Sequence, residues 1–219
     1  MKHLNLLLSA ARLLWLLPVL ALGAGGAARA ADAPAEPDAM ILHLSEGVLD
    51  ALRADKAIQA GDFARVQKLV DEKVMPSLDF DKMTRLAVGR AWRGATPEQR
   101  KALTDQFRTL LLRTYSGALA RVTDHRVRLR PSRGGADAGG DVIVRTQVVP
   151  GQGEPIDLDY RLERVDAGWR IYDFNVMGVW LVENYKTEFA SALSQGGLDA
   201  LIQSLTDKNQ RLASRGRAS

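Results

Sequence analysis

Between Ile41 and Val122 the apolar positions recur at helical spacing, and from His125 onward the period drops to two. The first helix is expected over about 38–56, with Ile41, Leu44, Val48, Leu49 and Leu52 on one face. Gly61 and Asp62 open a second, with Phe63, Val66, Leu69, Val70 and Val74 inward and Pro76 as its stop. Asp79 is placed to cap a third helix that carries Met83, Leu86 and Ala87 and ends near Gly94. Thr96-Pro97-Glu98-Gln99 is a strong start for a fourth: an N-cap hydroxyl, proline at the first helical position and Gln at N3. Its stripe of Leu103, Phe107, Leu110, Leu111, Tyr115, Ala118 and Val122 carries it to about residue 122.

Four strands follow. Val127 and Leu129 alternate with Arg126, Arg128 and Arg130, and beyond a Gly134–Gly140 turn Val142, Val144 and Val148 alternate with Ile143, Arg145 and Gln147. After Pro150-Gly151-Gln152-Gly153, the residues Ile156, Leu158, Tyr160 and Leu162 alternate with Asp157, Asp159, Arg161 and Glu163. Asp166-Ala167-Gly168 turns the chain into the last strand, 169–176. Glycine-bearing turns this short predict an antiparallel meander. The last strand breaks the pattern, with Trp169 and Ile171 on one face and Tyr172, Phe174 and Val176 on the other, so cover on both faces is expected. Two more amphipathic helices carry Val182, Tyr185, Phe189 and Leu193, then Leu198, Leu201, Ile202 and Leu205. No repeat or long linker divides the stretch 38–207, which reads as one α+β domain between a flexible lead at 31–37 and a polar tail at 208–219.

The first thirty residues have a different character. Lys2 and His3 precede an apolar stretch whose densest part, Leu13 to Leu22, is too short to span a bilayer, and Ala28-Arg29-Ala30 supplies a small-x-small cleavage pattern. Residues 1–30 are therefore expected to be a cleaved export signal. The chain has no cysteine, which excludes an acyl-anchored lipoprotein, disulfides, thiolate metal sites and cysteine nucleophiles. Lys2, Arg12 and Arg29 of the 30 basic residues fall in the leader, so the remainder nearly balances the 26 acidic ones. The high pI of the whole chain is then no argument for nucleic acid.

Candidate chemistry is sparse. His43 and His125 lie far apart in sequence and in no metal-ligand spacing. There is no Gly-x-Ser-x-Gly elbow, and Gly134–Gly140 lacks the lysine-hydroxyl pair of a phosphate cradle. Asp157 and Asp159 share a strand face with Arg161 and Glu163, an ordinary solvated pattern. Asp173 beside Tyr172 is the best catalytic candidate, as an acid of an isomerase or dehydratase in an apolar cavity; a capping or hydrogen-bonding role fits the same position.

The stretch from Met75 to Tyr115 carries Pro76, Asp79-Phe80, Met83-Thr84, Leu86-Ala87-Val88-Gly89-Arg90, Trp92, Thr96-Pro97-Glu98-Gln99-Arg100, Phe107, Leu110, Leu111 and Arg113-Thr114-Tyr115. A second block reads Gly168-Trp169-Arg170-Ile171-Tyr172-Asp173-Phe174, Gly178-Val179, Leu181-Val182 and Asn184-Tyr185. In this order, behind an export signal, the two blocks resemble the MlaC-type periplasmic phospholipid-binding proteins, also called toluene-tolerance proteins. The family more often has a small polar residue where Trp180 stands and arginine where Lys186 stands.

The resemblance implies helices packed around one four-stranded, curved antiparallel sheet, an NTF2-like cone enclosing an apolar cavity. It implies a soluble, unanchored periplasmic carrier with no catalytic step and no cofactor or metal. Its partners would be a phospholipid ligand, an inner-membrane Mla-type ABC transporter and an outer-membrane lipoprotein–porin complex. The task would be maintenance of outer-membrane lipid asymmetry. A ligand-free chaperone or scaffold is the other non-enzymatic reading. Alternation puts Val142, Val144, Leu158, Tyr160 and Leu162 on the sheet's inner face, opposite Phe107, Leu111 and Tyr115. With Leu110, Val148, Phe174 and Trp180 these are the candidate cavity residues; apolar stripes alone do not separate lining from core.

Overall fold

The computed structural model describes residues 36–122, 124–131 and 140–215. The leader, nearly all of the lead, the Gly134–Gly140 turn before its last residue and the end of the tail lie outside them. The helical half begins with α1 (Glu36–Ala54) and a short α2 (Lys56–Gln59). One helix was expected over 38–56. Asp55 divides it, because its carboxylate accepts from Ala57 N at 2.9 Å and Ile58 N at 3.3 Å and so caps a new helix. Asp62 caps α3 (Phe63–Leu69) in the same way. The chain then widens into a π turn, Val70–Val74, and tightens into a 3-10 turn, Met75–Ser77. Pro76, which donates no hydrogen bond and crowds the preceding turn, accounts for the lost regularity.

Asp79 caps α4 (Phe80–Val88) through Lys82 N at 2.7 Å, and a 3-10 turn follows at Gly89–Gly94. Helix α5 (Pro97–Ala120) opens with the expected reciprocal capping box, Thr96 Oγ1 accepting from Gln99 N at 3.2 Å and Gln99 Oε1 accepting from Thr96 N at 3.1 Å. The last helical span, α6 (Leu181–Arg215), is broken at Gly196 and Gly197, so its two halves are the two helices expected from the pattern. It continues beyond Lys208, where Asn209 is buried and donates to Gln106 O at 2.9 Å.

The sheet has five strands, not four, in the order β1 (Arg126–Leu129), β2 (Val142–Val149), β3 (Ile156–Val165), β4 (Gly168–Val176) and β5 (Val179–Trp180), all neighbours antiparallel. The extra strand is a two-residue return through Met177 and Gly178, whose φ values of 51° and 90° make a type I′ turn. Asn175 Oδ1 secures it by accepting from Gly178 N at 2.8 Å. The broken alternation of β4 also has a local cause. Arg161 pairs with Asp173 and Leu162 with Ile171, which leaves Tyr172 as a bulge residue. The bulge turns Ile171 and Phe174 to one face of the sheet, and it bends the sheet there.

Three apolar clusters result. The helical one joins Phe80 and Met83 of α4, Leu103, Phe107 and Leu110 of α5, and Val182, Tyr185, Phe189, Leu201 and Leu205 of α6. The second joins Ile41 of α1 with Val144, Tyr160, Leu162 and Ile171 of the sheet. The third packs Leu52, Ile58, Val66 and Leu69 with Leu119 at the end of α5 and Val122 just beyond it. Leu78 and Phe174 pack against both of the first two.

Candidate functional site

The inner face of the sheet is built in cross-strand rows. Val142 pairs with Leu162, and Leu162 with Ile171; Val144 pairs with Tyr160, and Tyr160 with Phe174. These rows are covered by α1, whose Ile41 is fully buried and whose Met40 and Leu44 pack against them. The two rows nearer the sheet's end, Leu158–Val176–Val179 and Val127–Val148–Ile156, are apolar but open. Val179 is 52% exposed and Ile156 38%, and Met177 beside them is 73% exposed. An apolar strip therefore runs from the packed core out to solvent along one face.

The candidates separate by burial. Phe107, Leu110, Val144 and Leu162 are at most 1% exposed, and Tyr160 is nearly as enclosed. Phe107 is held by edge contacts to Tyr185 and Phe189, with ring centroids 4.9 and 5.3 Å away. Leu111, Tyr115, Val142, Val148, Leu158 and Phe174 are half-buried. Phe174 meets Tyr160 edge-on at 5.6 Å, at the junction between the helical and the sheet cluster.

Two expected placements change. The helix over Val144, Tyr160 and Leu162 is α1 rather than α5, whose Phe107, Leu111 and Tyr115 belong with the helical cluster. Trp180 is on the polar face, because it pairs with Asn175, which pairs with Asp159. Its ring lies under the Arg161 guanidinium at 3.9 Å, away from both apolar clusters.

One residue of this region that the sequence pattern does not single out is Ser45 of α1, which lies with Thr146 beside the Tyr160 hydroxyl. A small polar residue inside an apolar helical stripe was the available signal.

Asp173 is completely buried, and both of its oxygens are engaged. Oδ1 accepts from Phe174 N at 2.8 Å and Val182 N at 3.0 Å, and Oδ2 accepts from Arg161 Nη1 at 3.1 Å. Burial pushes its carboxyl up, while the two backbone N–H groups and Arg161 pull it down. This geometry fixes the start of α6 on the end of β4. Elsewhere, a cleft of about 410 Å³ is lined by charged side chains such as Asp81, Arg108 and Arg170 together with Met75, Leu78, Phe80 and Val165, and one of about 500 Å³ is lined mostly by charged ones, among them Asp141, Glu163 and Arg164. None of the candidate cavity residues lines either. His43 is exposed, and His125 sits half-buried with Nδ1 3.4 Å from Asp124. Among the described residues no cluster of His, Asp and Glu is suited to a metal, and no helix is long and apolar enough to cross a membrane.

All four tyrosines, Tyr115, Tyr160, Tyr172 and Tyr185, are held above the ordinary phenol range by burial, Tyr185 to about 12. The folded state thus retains protons that the unfolded chain releases above about pH 10. Stability is full below that pH and falls as pH rises toward 12. Ultraviolet titration should show no phenolate step in the folded protein near pH 10, with ionisation and unfolding arriving together above it. A reversible step at the ordinary value in folded protein would contradict the burial of these rings.

Residues 43–207 match the profile of the MlaC protein family. The toluene tolerance protein ttg2D of Pseudomonas putida is 26% identical over 125 residues, which is 57% of this chain and 57% of that relative's length. The intermembrane phospholipid transport system binding protein MlaC of Haemophilus influenzae is 19% identical over 177 residues, covering 80% of this chain and 82% of its own. A phospholipid-binding protein from Ralstonia solanacearum, solved in complex with a phospholipid, superposes with a TM-score of 0.78 at 42% identity, over 82% of this chain and 99% of that one. The chain belongs to the MlaC family.

Proposed function

We propose that this protein is a periplasmic phospholipid carrier, exported under a leader at residues 1–30 and folded as one lipid-binding domain over about 38–207. The observation that carries the reading is the likeness to the Ralstonia protein, which is solved with phospholipid and which this chain matches over nearly its whole length. The sheet supports it with an apolar face that is packed at Val144 and Leu162 and open at Ile156 and Val179.

A phospholipid has on the order of 30 methylene groups, each worth about 0.8 kcal/mol when buried. Carrying one through water requires that its tails be enclosed, whereas the head group is best left hydrated. The half-buried set of Leu111, Tyr115, Val142, Val148, Leu158 and Phe174 is the proposed lining. These side chains still have surface to give, while Phe107, Leu110, Val144 and Leu162 are already consumed by packing. In this reading the bulge at Tyr172 curls the sheet into an NTF2-like cone around the tails, and Trp180 braces the rim from outside through Arg161. The carrier exchanges lipid with an outer-membrane complex and an inner-membrane ABC transporter, the transporter supplying the energy. Asp173 acts as a cap, since its lone pairs are already taken by Phe174, Val182 and Arg161.

Native mass spectrometry with solvent extraction is expected to find phospholipid bound to the purified protein. Protein that is reproducibly lipid-free and takes up none from vesicles overturns the carrier reading.

A further inference from the structure

Six of the described arginines are spent on carboxylates: Arg53 on Asp50, Arg65 on Asp55, Arg108 on Asp71, Arg130 on Asp157 and Asp159, Arg161 on Asp173 and Arg164 on Glu36. Others have no carboxylate partner among the described residues, and three of these follow closely on one another at a single corner of the helical half. Arg85 on α4 and Arg90 and Arg93 on the 3-10 turn after it are exposed, and their guanidiniums have no ion-pair or hydrogen-bond partner among the described residues. Gly89, with φ of 68°, ends α4 and bends the chain, its N–H donating to Arg85 O, so the three follow one another around a tight corner. Arg100, also exposed, closes the group: its guanidinium lies 5.6 Å from the Trp92 ring and donates to Trp92 O at 3.3 Å. Between Arg85 and Arg100 the only acidic residue is Glu98. The nearby Lys101 is neutralised by Asp105 at 2.6 Å. Set among these cations are Leu86, 37% exposed, and the half-buried Trp92.

We propose that this patch docks the protein on an anionic phospholipid bilayer. Guanidinium forks match phosphate oxygens in pairs, which a compact ammonium does not. A tryptophan with one wet edge suits the head-group layer, and an exposed leucine between the cations can enter its acyl boundary. That mixture of cations with apolar side chains favours a lipid surface over an acidic protein face. The patch is formed by α4, the 3-10 turn and the start of α5, whereas the open apolar strip belongs to the sheet. Docking and lipid loading therefore use different residues.

The test is co-sedimentation of the purified, processed protein with vesicles of phosphatidylcholine alone, or of equal parts phosphatidylcholine and phosphatidylglycerol. The protein should bind the second and not the first. Arg85→Gln, Arg90→Gln and Arg93→Gln combined should lower the partition coefficient by on the order of 100-fold, about fivefold per arginine. Arg121→Gln, Arg126→Gln and Arg211→Gln remove the same charge from exposed positions elsewhere and should change it only a few-fold. Thermal melting confirms that both variants fold, and phospholipid loading is read separately, so failed docking is distinguished from failed carriage. Equal binding to both vesicles, or equal loss in the two triple variants, overturns the proposal. If the parent ignores both vesicles while the patch variant alone loses transfer to a membrane-anchored acceptor, the patch reads an acidic protein face and the bilayer assignment is wrong.

Discussion

Val144→Asp should cost about 4 kcal/mol or more of folding stability, a large part of what a domain of this size possesses. Val144 is 1% exposed, with Tyr160 opposite it on β3 and Ile41 in the same apolar cluster. A carboxylate there is set among apolar side chains, so it either stays ionised and unpaired or takes up a proton against its ordinary range. Leu158→Asp is the informative companion. Leu158 is only half-buried, in the open row with Val176 and Val179, so its carboxylate can reach water and the stability loss should be about 1–2 kcal/mol. If the lipid tails lie along that row, Leu158→Asp should nevertheless abolish most phospholipid loading. Urea unfolding and mass-spectrometric loading, measured on both variants, separate core from lining. Normal loading in Leu158→Asp would remove the open row from the site.

What the sequence revealed was chemistry acting over a few residues. Asp62, Asp79 and Thr96 are legible as caps because a carboxylate or hydroxyl directly ahead of a helical run has one plain use, accepting from its free N–H groups. The alternation of β2 and β3 is equally legible, and it places Val144 and Leu162 on the face that is buried. The failures all involve partners distant in the chain. Helices α1 and α5 both carry a broad apolar stripe, and nothing local says which will cover the sheet; α1 does, through Ile41 and Leu44. The cover expected on both faces of β4 is present, since Ile171 on one and Asp173 and Asn175 on the other are buried, but the broken alternation also needs a bulge at Tyr172 that only the pairing with β3 defines. Trp180 was assigned to the cavity by its apolar bulk. A two-residue strand after a type I′ turn instead pairs it with Asn175 on the polar face. That turn lacks the usual Asn-Gly signal, since Met177 occupies its first position.

Asp173→Ala should destabilise the protein by about 3 kcal/mol, and Asp173→Asn by about 1 kcal/mol. Alanine strips the acceptor from Val182 N, a buried donor at the start of α6, and leaves Arg161 stacked on Trp180 without its counter-charge. The orphaned N–H, the lost cap and the unpaired guanidinium act in the same direction. Asparagine presents an oxygen in the position of Oδ1, so the bonds from Phe174 N and Val182 N survive and only the ion pair is lost. Burial already pushes the Asp173 carboxyl toward its neutral form, and a carboxamide imitates that form at nearly the same volume. The two variants also divide the carrier reading from an enzymatic one. A general acid or base is abolished by either substitution, whereas a cap is preserved by asparagine. Asp173→Asn should therefore retain phospholipid loading and complement a deletion strain challenged with detergent and chelator, and Asp173→Ala should fail in proportion to its lost stability. Failure of Asp173→Asn to complement, with melting and loading both unchanged, would mean that the carboxylate does chemistry and that the carrier reading is incomplete.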